Sequence, residues 1–166
     1  MFTLSRKASI HTMDIRPLVN ADIAAVTALL QALSREYITH ESTAEGAANF
    51  LAENNELGIR GFVARGHAYH VALLDGVLAG FIAVRDNSHL FHLFVAREHQ
   101  RQGIARRLWD VARADAVARG GDGVFTVNSS NYAVPVYESF GFVRVGPTQL
   151  AKGLYYNPMR LALDDA

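Results

Sequence analysis

Two spacings alternate along this chain. Over residues 20–33 the apolar side chains Ile23, Val26, Leu29, Leu30 and Leu33 recur three or four apart, which predicts a helix with one apolar stripe. Asn20 or Asp22 stands where a capping side chain is needed. A second helix is expected from Ser42 and Thr43, with Thr43 as its cap and Ala47, Phe50, Leu51 and Asn54 at helical spacing. The pattern then changes to strands. His70–Leu74 and Val77–Val84 flank the tight turn Asp75-Gly76, and Asp86-Asn87 turns the chain into a strand over His89–Val95. Helical spacing returns over 102–119, with Ile104, Leu108, Val111, Ala112 and Val117 on the buried face. Arg106, Arg107, Asp110, Arg113 and Asp115 form the wet face, and Gly120-Gly121 stops the helix.

Shorter elements complete the order. Asp14–Leu18 reads as a first strand, Val124–Val127 as a central one, 131–140 as a short helix, Phe142–Val145 as a strand and about 154–163 as the last strand. Strands and helices in this order predict an α/β chain, one mixed sheet with helices on its faces. No linker or repeat divides it, so residues 13–166 are expected to form one domain and residues 1–12 a loose arm.

Composition narrows the function. The chain has 166 residues, half of them hydrophobic, with 16 basic and 16 acidic side chains. A balanced charge disfavours non-specific nucleic-acid binding, which needs a basic surplus. The absence of cysteine excludes disulfides, a thiol nucleophile and thiolate metal sites, and suits a cytoplasmic setting. No apolar run is long enough for a membrane span, and the first twelve residues lack the apolar core of a signal peptide.

The stretch Gln100-Arg101-Gln102-Gly103-Ile104-Ala105 carries the chemistry. It joins the end of a strand to the start of a helix. The first amides of a helix have no intrahelical partner, so they form a ready anion site. Gly103 lets the backbone approach a phosphate oxygen closely. The loop lacks the Lys-Ser/Thr of a phosphate-binding Walker loop, and no dinucleotide fingerprint stands early in the chain.

A second stretch, Asn131-Tyr132-Ala133-Val134-Pro135-Val136-Tyr137-Glu138-Ser139-Phe140-Gly141-Phe142, follows one helix and one strand later. Together the two resemble the signatures of the GNAT-type, acetyl-CoA-dependent N-acetyltransferases. In that family the first signature is Gln or Arg, two variable residues, Gly, one variable residue, then Gly or Ala. The second is an Asn, a helix carrying a Tyr, and Gly-Phe entering a strand. The resemblance covers about residues 13 to 163. It implies the acyl-CoA N-acyltransferase fold: a mixed, mostly antiparallel central sheet flanked by helices and split between its fourth and fifth strands.

The resemblance also implies roles. The backbone at Phe94 and Val95 would pair with the pantetheine arm of acetyl-CoA. The amides of Gln100, Arg101, Gln102, Gly103, Ile104 and Ala105 would hold its pyrophosphate. Arg101 and Arg106 are candidates for the outer phosphates, Arg106 being equally well read as a solvated residue. Tyr137 matches the tyrosine that protonates the leaving sulfur, against the plainer reading of an aromatic packed on its helix. Asn131 could cap the short helix or hold the cofactor arm, and Asn128 ends the central strand within reach of the cleft.

The proton acceptor stays open between His89 and His92. Imidazoles titrate near neutral pH, but these two have opposite parity on an unbroken strand, so both face the substrate only if a bulge intervenes. His67 and His70 fit no strong zinc spacing with them, and no metal is expected. Phe62 and Phe91 read as core. The acceptor would enter near Glu36, Tyr37, His40, Glu41, Glu45, Glu53, Asn54, Asn55 and Glu56, whose surplus of carboxylates suits a small amine or a peptide N-terminus. One of Tyr155 and Tyr156 is expected to face the cleft. The last strand and exposed tyrosines would suit a homodimer. The rival reading is an acyl-CoA-binding or regulatory module of the same fold without catalysis.

Overall fold

The computed structural model describes residues 12–164, so the expected arm, apart from Thr12, lies outside the described residues. Strand β1 (Met13–Pro17) leads through one turn of 3₁₀ helix at Asn20–Asp22 into α1 (Ile23–Tyr37). The predicted stripe holds, with Ile23, Val26, Leu30 and Leu33 all buried. Neither expected cap is made, because Asp22 is otherwise engaged: its carboxylate accepts from the Val19 amide at 2.8 Å and from both Arg16 guanidinium nitrogens at 2.8 and 3.0 Å.

The expected second helix is two helices. In α2 (Ala44–Glu53) the Thr43 hydroxyl caps as predicted, accepting from the Gly46 amide at 3.0 Å. Asn54 ends that helix, and Asn55 caps α3 (Glu56–Ala64) by accepting from the Gly58 amide at 2.8 Å. Adjacent asparagines thus stop one helix and start the next, since the short amide side chain competes well for free backbone donors.

The meander follows: β2 (Ala68–Leu74), β3 (Val77–Arg85) and β4 (His89–Val95). The main helix α4 (Ile104–Ala118) starts two residues later than the spacing alone suggests, because Gly103 takes a left-handed φ of 80°. Then come β5 (Val124–Ser129), α5 (Val134–Ser139), β6 (Val143–Arg144), β7 (Gln149–Ala151) and β8 (Leu154–Ala162). Strand β7, a hairpin arm on β8, is not predicted by the sequence pattern, because its three residues are all exposed and carry no alternation.

The sheet order is β1-β2-β3-β4-β5-β8-β6, with β7 on the free part of β8. Every pairing is antiparallel except β4 with β5. That parallel pair is joined only at His89–Thr126 and Leu90–Val127, after which the strands part. Apolar layers cover both faces. Ile23, Val26, Leu30 and Ile59 pack on Val71 and Phe81 on one side, while Leu108, Trp109, Phe125 and Phe142 build the other. The start of α2 rests on the β7–β8 hairpin: the Thr43 amide donates to the Gly153 carbonyl at 3.1 Å. A Cβ on Gly46 would come within 2.7 Å of the Lys152 carbonyl oxygen. Among the described residues no helix is long and apolar enough to cross a membrane.

Candidate active site

Where β4 and β5 part, a cavity of about 940 Å³ opens between the two apolar layers. One end of it is the loop from Gln100 to Ala105. Of the residues expected there, Gln100, Arg101, Gly103, Ile104 and Ala105 line the cavity, whereas Gln102 does not. The loop is shaped by two left-handed residues, Arg101 at φ 63° and Gly103 at φ 80°. The first backbone bond into α4 runs from the Arg107 amide to the Gly103 carbonyl at 3.1 Å. The earlier amides of the helix have no carbonyl four residues back, and no acidic side chain lies in the first turn.

The edge of β4 is the second component. Phe94 and Val95 line the cavity where β5 has moved away. Gln100 caps part of this open edge, its side-chain amide donating to the Val95 carbonyl at 3.0 Å. Its carbonyl end accepts from the Tyr132 hydroxyl at 3.4 Å, and Tyr132 stacks on Tyr37 with ring centroids 4.0 Å apart. This stack joins α1 to the segment before α5. Aromatic spacing along one element cannot reveal such a pair, because its members are distant in sequence.

Tyr137 lies on α5 and lines the cavity while being only 6% exposed. Burial pushes its phenol well above the ordinary tyrosine range, so the proton stays on oxygen at neutral pH. Its ring meets Phe140 and Phe142 edge-on, which fixes the hydroxyl's direction. Arg106 also lines the cavity. Its guanidinium donates to the Ser139 carbonyl at 2.6 Å and lies 5.1 Å from the centre of the Phe140 ring.

A bulge in β4 does intervene. Ala83 opposes His92 and Val84 opposes Leu90, which leaves Phe91 as the extra residue. Leu90 and Leu93 consequently face the α4 layer together, while Phe91 and Phe94 face the α1 layer. His89 and His92 therefore share the α1 face despite their parity. They do not share the cavity. His92 is on its wall; His89 sits at the joined end of the strands, its Nδ1 2.8 Å from Thr126 Oγ1. Burial drives His92 down to about 3 and His89 down to about 4. His92 Nδ1 is 3.1 Å from the Tyr69 hydroxyl, and burial raises the pKa of that phenol.

Asn128 lines the cavity as expected, but Asn131 does not. Asn131 donates to Glu41 at 3.1 Å and accepts from Asn157 at 2.8 Å, so it neither caps α5 nor faces the cavity. Ser130, which the sequence does not single out, accepts from the Ala133 amide at 3.2 Å instead. Asn157 is fully buried and also donates to the Ser129 carbonyl and accepts from Arg144 and Thr148. Phe62 and Phe91 are wall residues rather than core, meeting edge-on at 4.8 Å. Both Tyr155 and Tyr156 line the cavity, where β8 is paired with β7 and no longer with β5. Of the expected acceptor residues, Tyr37, Glu53 and Asn54 reach the wall. Among the described residues no group of three or more His, Cys, Asp or Glu is placed to hold a metal ion.

The family model for the acetyltransferase (GNAT) domain matches residues 29–163. The chain belongs to the GNAT acetyltransferase family. Solved structures agree with this membership. A GCN5-related N-acetyltransferase from Rhodopseudomonas palustris superposes with a TM-score of 0.76 at 25% identity, over 92% of this chain and 96% of that one. The PaiA N-acetyltransferase of Thermoplasma acidophilum, solved in complex with coenzyme A, superposes with a TM-score of 0.74 at 15% identity, over 92% and 99%. YncA of Salmonella typhimurium, solved with acetyl-CoA, gives 0.65 at 23% identity, over 93% and 96%. No curated protein matches the chain. The mixed sheet, parted at its parallel strand pair, is thus the GNAT architecture.

Proposed function

We propose that this GNAT protein moves the acetyl group of acetyl-CoA directly onto a primary amine of a small molecule or peptide, with both substrates bound together. The observation that carries the reading is the parting of β4 and β5 after Leu90 and Val127, beside a loop whose amides open toward the same cavity. An extended, amide-bearing arm fits a free strand edge as an added strand does, and a diphosphate fits a helix N-terminus. The residues present fit acetyl-CoA on both counts: Phe94 and Val95 for the arm, Gln100 to Ala105 for the phosphates, and Arg101 and Arg106 for outer charge. The thioester supplies an activated acetyl group.

The reaction needs proximity and proton management rather than a covalent enzyme intermediate. The nitrogen–carbon bond forms, the carbon–sulfur bond breaks, the amine gives up a proton and the sulfur takes one. Tyr137 is the donor to sulfur in this reading, since its buried phenol keeps its proton at neutral pH and lies on the cavity wall. A His92 held near 3 binds a proton too weakly to deprotonate an ammonium. The ring serves better as a neutral group that orients the acceptor through Nε2. The amine then arrives neutral or loses its proton to water. His89, bonded to Thr126 outside the cavity, acts on strand geometry alone.

The test is acceptor-dependent release of CoA thiol across a panel of amines and peptide N-termini, beside calorimetric titration with acetyl-CoA. Binding of acetyl-CoA with release from at least one acceptor is expected. Binding with no release across the panel would leave the non-catalytic acyl-CoA module as the reading.

A further inference from the structure

Building on the acetyltransferase reading, we infer that the acceptor is a small monoamine with an aryl or alkyl body and no carboxylate. The acceptor side of the cavity is the part on the α1 face, away from the phosphate loop. Leu33, Phe50, Phe62, Phe91 and Phe94 give it apolar walls, and the Phe62–Phe91 pair presents two ring surfaces at right angles, 74° apart. Such a corner accepts a flat or branched hydrocarbon group by edge-to-face contact.

The polar groups on this side are mostly neutral, and the anionic charge comes from one residue. Among the described residues Glu53 is the single carboxylate on the cavity wall. The other acids expected near the acceptor do not line the cavity: Glu36 pairs with Arg97 at 3.3 Å, Glu41 accepts from Asn131 at 3.1 Å, and Glu45 and Glu56 are exposed away from the wall. Asn54, 5% exposed and also on the wall, has a side-chain oxygen with no hydrogen-bond partner. Its amide end is already spent on the Phe50 carbonyl at 2.9 Å. These groups accept hydrogen bonds and attract a cation. The arginines on the wall, Arg101 and Arg106, belong to the phosphate loop and the helix it opens. A free carboxylate on the acceptor would therefore lie near the charge of Glu53 with only the neutral donors of Tyr37, His92 and Tyr155 to meet it and no cationic partner. A polyamine or aminoglycoside would bring several ammonium groups to one carboxylate and aromatic walls, leaving the surplus charges desolvated and unpaired.

The same preference assigns Phe62 and Phe91 as specificity residues. Losing one aromatic wall contact costs the apolar acceptor roughly tenfold or more in affinity.

The experiment compares 2-phenylethylamine, hexylamine, spermidine, kanamycin and phenylalanine, measured both as CoA release and as calorimetric binding to the protein–CoA complex. The inference expects kcat/KM for the first two to exceed the other three by at least tenfold. It also expects Phe62→Ala to raise KM for 2-phenylethylamine about tenfold, with acetyl-CoA affinity and circular dichroism unchanged. Phe91→Leu serves the same purpose should Phe62→Ala fail to fold. Equal or better turnover of spermidine, kanamycin or phenylalanine overturns the inference and leaves the acetyltransferase reading intact. Should no amine turn over, that reading fails, and calorimetry decides the inference alone: tenfold tighter binding of 2-phenylethylamine than of spermidine and phenylalanine supports it, and its absence overturns it.

Discussion

Tyr137 and His92 are both buried titrating groups that line the cavity, and burial moves them in opposite senses. Each is held in its neutral form, which leaves the tyrosine a proton to give and the histidine little capacity to take one. Tyr137→Phe keeps the ring packing against Phe140 and Phe142 and removes only the hydroxyl. We expect kcat to fall about a hundredfold while acetyl-CoA affinity stays within about twofold, measured by CoA release and calorimetry. An unchanged kcat would place the sulfur's proton source elsewhere. Because His92 titrates near 3 rather than near 6.5, the profile of log kcat/KM against pH should rise toward the acceptor's own pKa with no break between 6 and 7. A break there would return His92, or another histidine, to the role of base. Single residues were only partly legible in the sequence. Tyr137, Gly103 and Phe94 stand in local signatures, and all three line the cavity. Asn157 and Ser130 stand in no signature, because what they do depends on partners such as Ser129, Asn131, Arg144 and Ala133 rather than on a spacing.

The elements were more legible than the residues. The strands flanking Asp75-Gly76 and the strand His89–Val95 fall where alternation and turn chemistry put them, since both turns use residues that tolerate a left-handed backbone. The pattern missed the break at Asn54-Asn55, where apolar spacing continues across two helices and only the capping side chains mark the boundary. It left the bulge open as well: an extra residue in a strand leaves no trace in composition, yet it decides which side chains of β4 share a face. At the loop, Gly103 sets the direction of α4. A Cβ there meets no neighbour, so Gly103→Ala tests backbone conformation alone. Placing alanine at φ 80° costs about 1 kcal/mol, which we expect to lower stability by that amount and to weaken acetyl-CoA binding severalfold as the amides rotate. Urea denaturation and calorimetry measure the two effects separately. Among the buried polar links, Asn157→Ala strands the Ser129 carbonyl, Asn131, Arg144 and Thr148 at once. A loss of about 2–3 kcal/mol is expected, read from the shift in the urea midpoint at constant slope.

At the scale of the whole molecule, fold class and sheet composition followed from the order of periods, whereas the split between β4 and β5 came only from family resemblance. No local pattern distinguishes a strand that pairs along its length from one that pairs over two residues. The histidines give the molecule its pH dependence. His67, His70, His89 and His92 all have pKa values depressed below 6.5, burial being the main cause in each. The unfolded chain therefore binds more protons than the folded one below about 6.5. Their contribution to stability is complete above that pH and is lost as pH falls toward 4 and then 3, with His92 contributing up to about 1.4 kcal/mol per pH unit. Trp109, the single tryptophan and fully buried, reports unfolding by its fluorescence. A lower urea midpoint at pH 5 than at pH 7.5 is expected, and equal midpoints would contradict neutral burial of these rings. Finally, α2 and the β7–β8 hairpin both line the cavity, and at Gly46 and Gly153 they lie so close that an added Cβ on either glycine would run into the opposite backbone, with Thr43 Oγ1 also in its way at Gly153. The near contact leaves no room between them for one to close in without the other: to widen this end of the cavity, the hairpin has to swing away from the helix.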